Sequence, residues 1–526
     1  MSPKEKIIKI YTEFLKAKKM SPSRADMLSR GITRDMIKHH FGSITKLKDL
    51  IRDTTPEAFK DIVDDTVFTP KAINSLRKEV KKYKRFVVTT AVTGMPVHMG
   101  FYNNLKFYCE KNDAKLLILL SSDPAAIGGF ELDGVLAGES FVFDDVALND
   151  SLFISTFKTS AKQVNPLTGI ARIGQRERSM IIASPKQFLE YVPIANDKAS
   201  HALMTTGALT LPMYKTERYM SQRTAYISES DHCMGAIIVE LEDNKYFHVR
   251  QIQAEPKSGF FIDLGKYYQS DRVETVRPEA IVFGDWHTGS TEPVVRKTSF
   301  QMLKDLKPKR LFLHDVFDGI SVNPHMSNAY LTKASMGDKL SLAKELLVNS
   351  EELTAIENAA KYVDEILIVA SNHDDFLNRY LQSGEYIKDA TNSLLAHELA
   401  LGKAKGSNPF EDGVKLFGFK GKKTRWLKLS DSYKICGIEH GQHGHIGLNG
   451  QKNPPNGSLE KAYGIGVFGH SHSPGILRGI YRTGTSTYMR LGYNQGSSSW
   501  GNAHVITYSN GSRQLISIFN GKYKLA

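Results

Sequence analysis

The chain has 526 residues, enough for two to four domains, and its 41% hydrophobic and 24% charged content is that of an ordinary globular protein. Its net charge of +13 suits polyanionic partners, nucleic acid above all. Three well-separated cysteines, Cys109, Cys233 and Cys436, exclude a disulfide framework or zinc finger and fit a reducing cytoplasm, while no apolar run would cross a bilayer and the charged N-terminus lacks a secretory core.

The charge is concentrated at the start. Residues 1–60 hold 14 Lys or Arg against 7 Asp or Glu, about half of the whole excess. Apolar residues recur there at helical spacing: Ile7, Ile8, Tyr11, Phe14 and Leu15 predict a helix over 3–19. Shorter helices follow over 24–30, 34–41 and 44–53, with Thr33 as N-cap of the third and Gly31 and Gly42 as breaks. Two short helices about a glycine turn, the second bearing Arg34, Lys38 and His39, suit a helix-turn-helix that contacts DNA. The pattern SPSRADMLSRGITRDMIKHHFGSITKL also resembles the small helical repeat attached to some phage and homing endonucleases. A basic helical bundle that docks on another subunit is the alternative.

Residues 61–85 read as a helical linker. Over 86–277 a strand (86–92), a helix (101–111) and a second strand (116–120) predict an α/β unit with a parallel pair. Strands are then expected near 151–157, 179–183, 236–241 and 246–252. This mixed α/β middle domain carries no recognisable chemistry; a structural module, or one for homo-oligomerisation, is the reading it leaves open.

Residues 278–526 read differently. An apolar run, 281–283, ends in Gly284-Asp285-Trp286-His287. The run 310–313 ends in His314-Asp315 and, three residues on, Asp318. The run 365–370 ends in Ser371-Asn372-His373-Asp374, 433–439 ends in His440, and 464–468 ends in Gly469-His470-Ser471-His472. Five strands each deliver Asp, Asn or His at the same end, where α/β sheets build their sites. An isolated Asp-x-His is weak evidence, but five such ends in order are not.

The blocks DWH, HDVFD, SNHD, EHG and GHSH resemble the signature of the calcineurin-like metallophosphoesterases, which include the SbcD-like nucleases of break repair. The resemblance covers about 278–480 and implies a two-sheet α/β sandwich holding two divalent metals. It implies Asp285, His287 and His472 at one metal, Asn372, His440 and His470 at the other, and Asp315 bridging them. It gives His373 the role of proton donor to the leaving oxygen, with Asp374 as the natural residue to orient it. Asp318 is expected to support the ligands from behind. The fourth block, EHGQHGH, also offers His443 and His445; His440 is preferred because it directly follows the strand. His314 and Ser371 stand where the family has glycine.

Mixed nitrogen and oxygen ligands without thiolate suit manganese first, with iron, zinc or magnesium as alternatives. Two cations roughly 3.5–4 Å apart clamp a phosphate and acidify a water held between them. The expected activity is therefore a metal-dependent phosphodiesterase acting as a DNA nuclease. Lys420, Lys422, Lys423 and Arg425, in a basic insert before the fourth block, are candidate backbone contacts, as are Arg478, Arg482 and Arg490. A solvated surface explains these cations equally well. A phosphatase or cyclic-nucleotide phosphodiesterase, or a non-catalytic DNA-binding protein, is the alternative reading. The pairing of an endonuclease-associated repeat with a phosphoesterase domain suggests a bacteriophage early protein that degrades host DNA in the host cytoplasm.

Overall fold

The computed structural model describes the chain apart from residues 1, 19–21, 23, 60–75, 122–131, 158, 161, 174–177, 195–200, 215–221, 324–336, 492–493 and 526. Two compact units emerge. One comprises Met1–Phe188, Ala202–Asp263 and Tyr267–Glu274; the other comprises Leu189–His201, Leu264–Lys266 and Thr275–Ala526.

The first unit begins with four helices, α1 (Pro3–Lys18), α2 (Arg24–Ser29), α3 (Arg34–Phe41) and α4 (Ile44–Thr54). Thr33 Oγ caps α3 by accepting the Met36 N–H at 3.2 Å, and Ser43 Oγ caps α4 through the Lys46 N–H at 3.1 Å. Gly42 stops α3 in the left-handed region, at φ 76°. Ile7, Tyr11, Leu15, Ile37, Leu47 and Ile51 form one apolar core among these helices. Burial of Ile37 and Phe41 leaves Arg34, Lys38 and His39 exposed. Most of the expected linker lies outside the described residues; its remainder is helical as far as Lys82.

Strand β1 (Arg85–Val92), helix α5 (Met99–Asn112) and strand β2 (Ala114–Ser121) form the expected unit, with β1 and β2 parallel and Arg85 opposite Ala114. Strand β3 (Phe141–Val142) extends the sheet beyond β2. A separate ladder runs through β4 (Val146–Ala147), β5 (Leu152–Ser155), β6 (Ser179–Ile182) and β7 (His201–Thr205). Strands β8 (Gly235–Leu241) and β9 (Phe247–Gln253) are antiparallel, and β8 pairs with the other edge of β1. The buried Arg250 guanidinium is held by Asp263 at 2.7 Å and Glu240 at 2.8 Å, which offsets the cost of burying the charge.

The second unit contains two sheets. In the first, β10 (Ala280–Val282), β11 (Arg310–Leu313), β12 (Glu365–Val369) and β13 (Thr424–Leu427) are parallel neighbours. Strand β14 (Lys434–Ile435) and β15 (Ile438–Glu439) begin the second sheet, which continues through β16 (Gly466–Phe468), β18 (Ile480–Arg482) and β17 (Gly475–Leu477). Strands β19 (Ala503–Thr507) and β20 (Arg513–Ser517) complete the first sheet on the far side of β10. Side chains bridge the sheets: Phe312 packs on His440 with ring centroids 5.2 Å apart, and Arg513 lies over Tyr481 at 4.2 Å. Helices α6 (Pro293–Leu306) and α7 (Leu342–Ala359) connect the parallel strands. Ser341 Oγ caps α7 through the Lys344 N–H. Among the described residues no helix is long and apolar enough to cross a membrane.

His504, in β19, ties this sheet to the turn after β10. Its Nδ1 accepts the Gly284 N–H at 2.9 Å. Its Nε2 donates to Ser299 Oγ at 2.7 Å, because that hydroxyl already donates to Val295 O. Both bonds require a neutral ring, and burial pushes its pKa down to about 3. His232, in the first unit, is likewise pushed by burial to about 4. Each folded-state value lies below the unfolded one near 6.5, so the unfolded chain binds more protons between the two. Stability should therefore be fully present above about pH 6.5 and fall continuously toward pH 4. Urea melts across this range check it; His504→Gln, which keeps a donor and an acceptor without titrating, should flatten the slope.

Candidate metal centre

Five strand ends meet at one end of the second unit. Asp285 and His287 follow β10, Asp315 follows β11, Asn372 and His373 follow β12, His443 lies beyond β15, and His470 and His472 follow β16. Backbone bonds fix the first two loops against each other, with His287 N–H on Asp315 O at 2.7 Å and Trp286 N–H on His314 O at 2.9 Å.

The ligand backbones are strained. His287, Asp315, His470 and His472 lie at φ 48°, 44°, 73° and 55°. Non-glycine residues rarely adopt this region, at a cost on the order of 1–2 kcal/mol each, and such residues cluster at functional sites. Their side chains converge as a result. His287 Nε2 lies 3.0 Å from His472 Nε2 and 3.6 Å from Asp315 Oδ2, and His472 Nε2 lies 3.2 Å from Asp285 Oδ2. Asp285, His287, Asp315 and His472 are all buried, with ligand atoms within 4.8 Å of one another.

A neighbouring set shares Asp315. His443 Nε2 lies 3.1 Å from Asp315 Oδ2 and 3.1 Å from Asn372 Oδ1. The His470 ring packs edge-on against His443, centroids 5.2 Å apart, and its Nε2 meets Asn453 Oδ1 at 2.7 Å. His443 is fully buried, whereas Asn372, His373 and His470 are partly exposed, which leaves this side of the centre open.

These groups fit cations better than they fit one another. Among the described residues, neither oxygen of Asp285 nor Asp315 Oδ1 has a partner in hydrogen-bond geometry. Burial raises the Asp285 carboxyl well above the usual range, and the Asp315 charge adds to this. Burial also acts against Asp315, but His443 and His373 outweigh it and hold that carboxyl well below its usual range. Burial pushes His470 and His472 down to about 4 and His443 well below its ordinary value, so their rings are neutral and present lone pairs. A buried cluster of carboxylates and neutral imidazoles with unpaired oxygens is a metal-binding donor set.

Tautomers follow from the hydrogen bonds. His287 Nδ1 donates to Asp318 Oδ1 at 3.1 Å, which frees Nε2 for a metal. Asp318 Oδ2 accepts from Ser290 Oγ at 2.9 Å, and Asp318 O accepts from His373 Nδ1 at 2.7 Å. One residue thus orients both a ligand and the expected proton donor. His314 Nδ1 faces His443 Nδ1 at 3.2 Å. If His443 is to offer Nε2, its Nδ1–H donates to His314, so the residue standing in place of glycine sets the ligand's tautomer.

Several expected roles are not met. His440 stays outside the cluster: Nδ1 donates to Ile438 O at 2.8 Å and Nε2 pairs with Thr507 Oγ at 2.9 Å, between the sheets. The loop turns after β15, and His443 occupies the position expected for His440. Asp374 does not reach His373; its Oδ2 accepts the Ser371 N–H at 3.0 Å, and Asp318 holds His373 instead. Lys423 caps the end of α7, its ammonium on Val363 O at 2.9 Å and Lys361 O at 3.1 Å. Arg425 lies over the Tyr433 ring but remains 58% exposed, and Lys420 and Lys422 are exposed. Arg478 pairs with Glu460, Arg482 is buried on Gly469 O and Pro454 O, and Arg490 binds Asn494 O. The last three serve the fold.

Gly469 has a steric reason, since a Cβ there would collide with Asp285 Oδ1. Manganese should raise the melting temperature of the protein, by the equivalent of about 2.7 kcal/mol at a hundredfold excess over Kd. Asp315→Asn and Gly469→Ala should each lose most of that shift, read by calorimetry with and without metal.

The chain is 28% identical to Protein A1 of Escherichia phage T5 over 512 residues, which takes in 90% of this chain and 87% of that protein. This likeness supports the bacteriophage expectation. No family model matches the chain, and no solved structure matches it.

Proposed function

We propose that the protein is a two-metal phosphodiesterase that cleaves DNA. The observation that carries the reading is the group of buried oxygens, both of Asp285 and Oδ1 of Asp315, without hydrogen-bond partners among the described residues, surrounded by His287, His443 and His472. The two sheets with donor side chains at their strand ends also suit the calcineurin-like sandwich that the motifs resemble. Asp285, His287 and His472 would hold one cation, Asn372, His443 and His470 the other, and Asp315 both. Manganese is the first choice by donor type. Divalent cations there would supply Lewis acidity and an acidified water.

The chain's own part is positioning and proton transfer. In hydrolysis a water oxygen bonds to phosphorus, the bond from phosphorus to the leaving sugar oxygen breaks, and that oxygen takes up a proton. His373 is the donor: Nδ1–H is engaged by Asp318 O, so Nε2 is the nitrogen left for substrate. The ring must carry both protons to give one away, and the Asp318 carboxylate, 3.7 Å from Nδ1, balances its charge.

DNA is favoured as substrate by the charge distribution. The exposed Arg34, Lys38 and His39 sit on a basic helix, and the exposed Lys420 and Lys422 add charge to the second unit. Contacts of this kind bind phosphate backbones with little sequence preference. In a phage-infected cell, host DNA is the polymer such an enzyme would degrade.

Purified protein with manganese should cut linear and closed-circular DNA and hydrolyse bis(p-nitrophenyl) phosphate. His373→Ala should lower kcat by about 10²–10⁴ while keeping the metal-induced rise in melting temperature. A His373→Ala protein that cuts as fast as the parent removes His373 from the reaction. Turnover of small esters without DNA cleavage would instead favour a phosphatase or cyclic-nucleotide phosphodiesterase. In DNA-binding titrations, Arg34→Ala with Lys38→Ala should reduce the slope of log affinity against log salt by about 2.

A further inference from the structure

One ring nitrogen of His470, an expected ligand, is already engaged. Its Nε2 lies 2.7 Å from Asn453 Oδ1. A carbonyl oxygen can only accept, so Nε2 carries the proton and donates it. In a neutral ring the lone pair is then on Nδ1. Neither the motifs nor the strand ends pointed to Asn453, which lies in the loop beyond β15, seventeen residues before His470.

Asn453 is itself held on two sides. Residues 445–453 fold back on themselves: Ile446 bridges Lys452 in antiparallel sense, the Gly447 N–H bonds to Gln451 O at 2.7 Å, and the Asn453 N–H bonds to His445 O at 3.0 Å. The same hairpin therefore follows His443 at one foot and carries Asn453 at the other. Past Asn453 the chain is fixed by Arg482, which is 4% exposed. Its Nη2 donates to Pro454 O at 2.6 Å, its Nε to Asn456 Oδ1 at 2.7 Å, and its Nη1 to Gly469 O at 3.0 Å. One planar guanidinium thus ties the residue after Asn453 to the residue before His470, and its rigid fork sets their separation. The backbone is strained at both ends of the contact, with Asn453 at φ 50° and His470 at φ 73°. Asparagine is one of the few residues that enter this region readily, and its short side chain still offers an acceptor. Asn453 is exposed, so its side chain is not there to fill the core.

Resting on the two-metal reading, we infer that Asn453 is a positioning residue for the second cation: by accepting the Nε2 proton of His470 it makes Nδ1 the atom that this ring offers to the metal, with Arg482 holding the two segments in register. An outer partner of this kind fixes the ring and its tautomer and raises its basicity, and losing one costs about 10–100-fold in metal affinity.

The test uses the full chain, with manganese titrated into metal-free protein and the free ion followed by electron paramagnetic resonance. The parent should bind two ions. Asn453→Gly removes the acceptor but adopts the same backbone freely, so added strain is not what changes. It should hold one ion as the parent does and the other about 10–100-fold more weakly. Asn453→Asp supplies an acceptor oxygen again and should bring the weakened affinity back to the parent's or above it. Parent-like binding of both ions by Asn453→Gly, or equal weakening in Asn453→Gly and Asn453→Asp, overturns the inference. A parent that binds two ions, with the second weakened only in Asn453→Gly, yet hydrolyses no phosphodiester would sink the nuclease reading and leave Asn453 its role. A parent that binds no manganese overturns both.

Discussion

Two carboxylates buried beside each other dominate the second unit. Asp285 and Asp315 lie at the ends of adjacent parallel strands, buried, with three of their four oxygens lacking a hydrogen-bond partner among the described residues. Water would solvate such groups far better than this interior does, so the arrangement is unfavourable unless positive charge enters. Arg482, the buried arginine nearby, spends its donors on Gly469 O, Pro454 O and Asn456. Burial disfavours charge on His443 and His472, which leaves their rings as donors for a metal. A divalent cation at the centre would balance the charge of both carboxylates.

The backbone is arranged to keep that imbalance in place. Four left-handed non-glycine residues at the centre can persist only where the surroundings over-determine them. Here the surroundings are the paired loops after β10 and β11, the close passage of Gly469 over Asp285, and the neutral His504 that holds the Gly284 amide. Strain in the ligands and order in the layer beneath them are two sides of one design. The second layer is fixed by ordinary hydrogen bonds, and it holds the first in geometry that the ligands would not adopt alone.

This division explains what was legible in the sequence. Residue type and strand-end position anticipated that Asp285, His287, Asp315, Asn372 and His472 come together, because the ends of parallel strands are brought together by the sheet itself. The same logic failed after β15. Adjacency to the strand pointed to His440, but a turn of three residues sends that ring between the sheets and brings His443 inward. The repeated histidines of EHGQHGH were the only available signal. Asp374 was misjudged for a related reason: sequence neighbours at the start of a helix diverge, and its carboxylate folds back on Ser371, whereas Asp318 arrives from another strand end. Cations were the least legible. Lys423 and Arg482 look like polyanion contacts in a basic stretch, yet each satisfies carbonyls that the fold would otherwise bury unpaired. In the first unit, helix caps and the parallel β1–β2 pair were readable because they rest on local spacing.

Substrate choice must then come from outside the ligands, because the same carboxylates and imidazoles would act on any accessible phosphodiester. Two features of different reach are available. Exposed basic residues on the helical segment act over about a Debye length and attract any polyanion, without regard to sequence or pairing. The cavity beside Ser290, about 250 Å³, would act only on contact. On the proposed nuclease function, long-range charge would raise the local concentration of nucleic acid, and a phosphate would approach the open side of the centre, where Asn372, His373 and His470 are partly exposed. Capture by charge and hydrolysis at the centre would be separable, since salt weakens the first far more than the second.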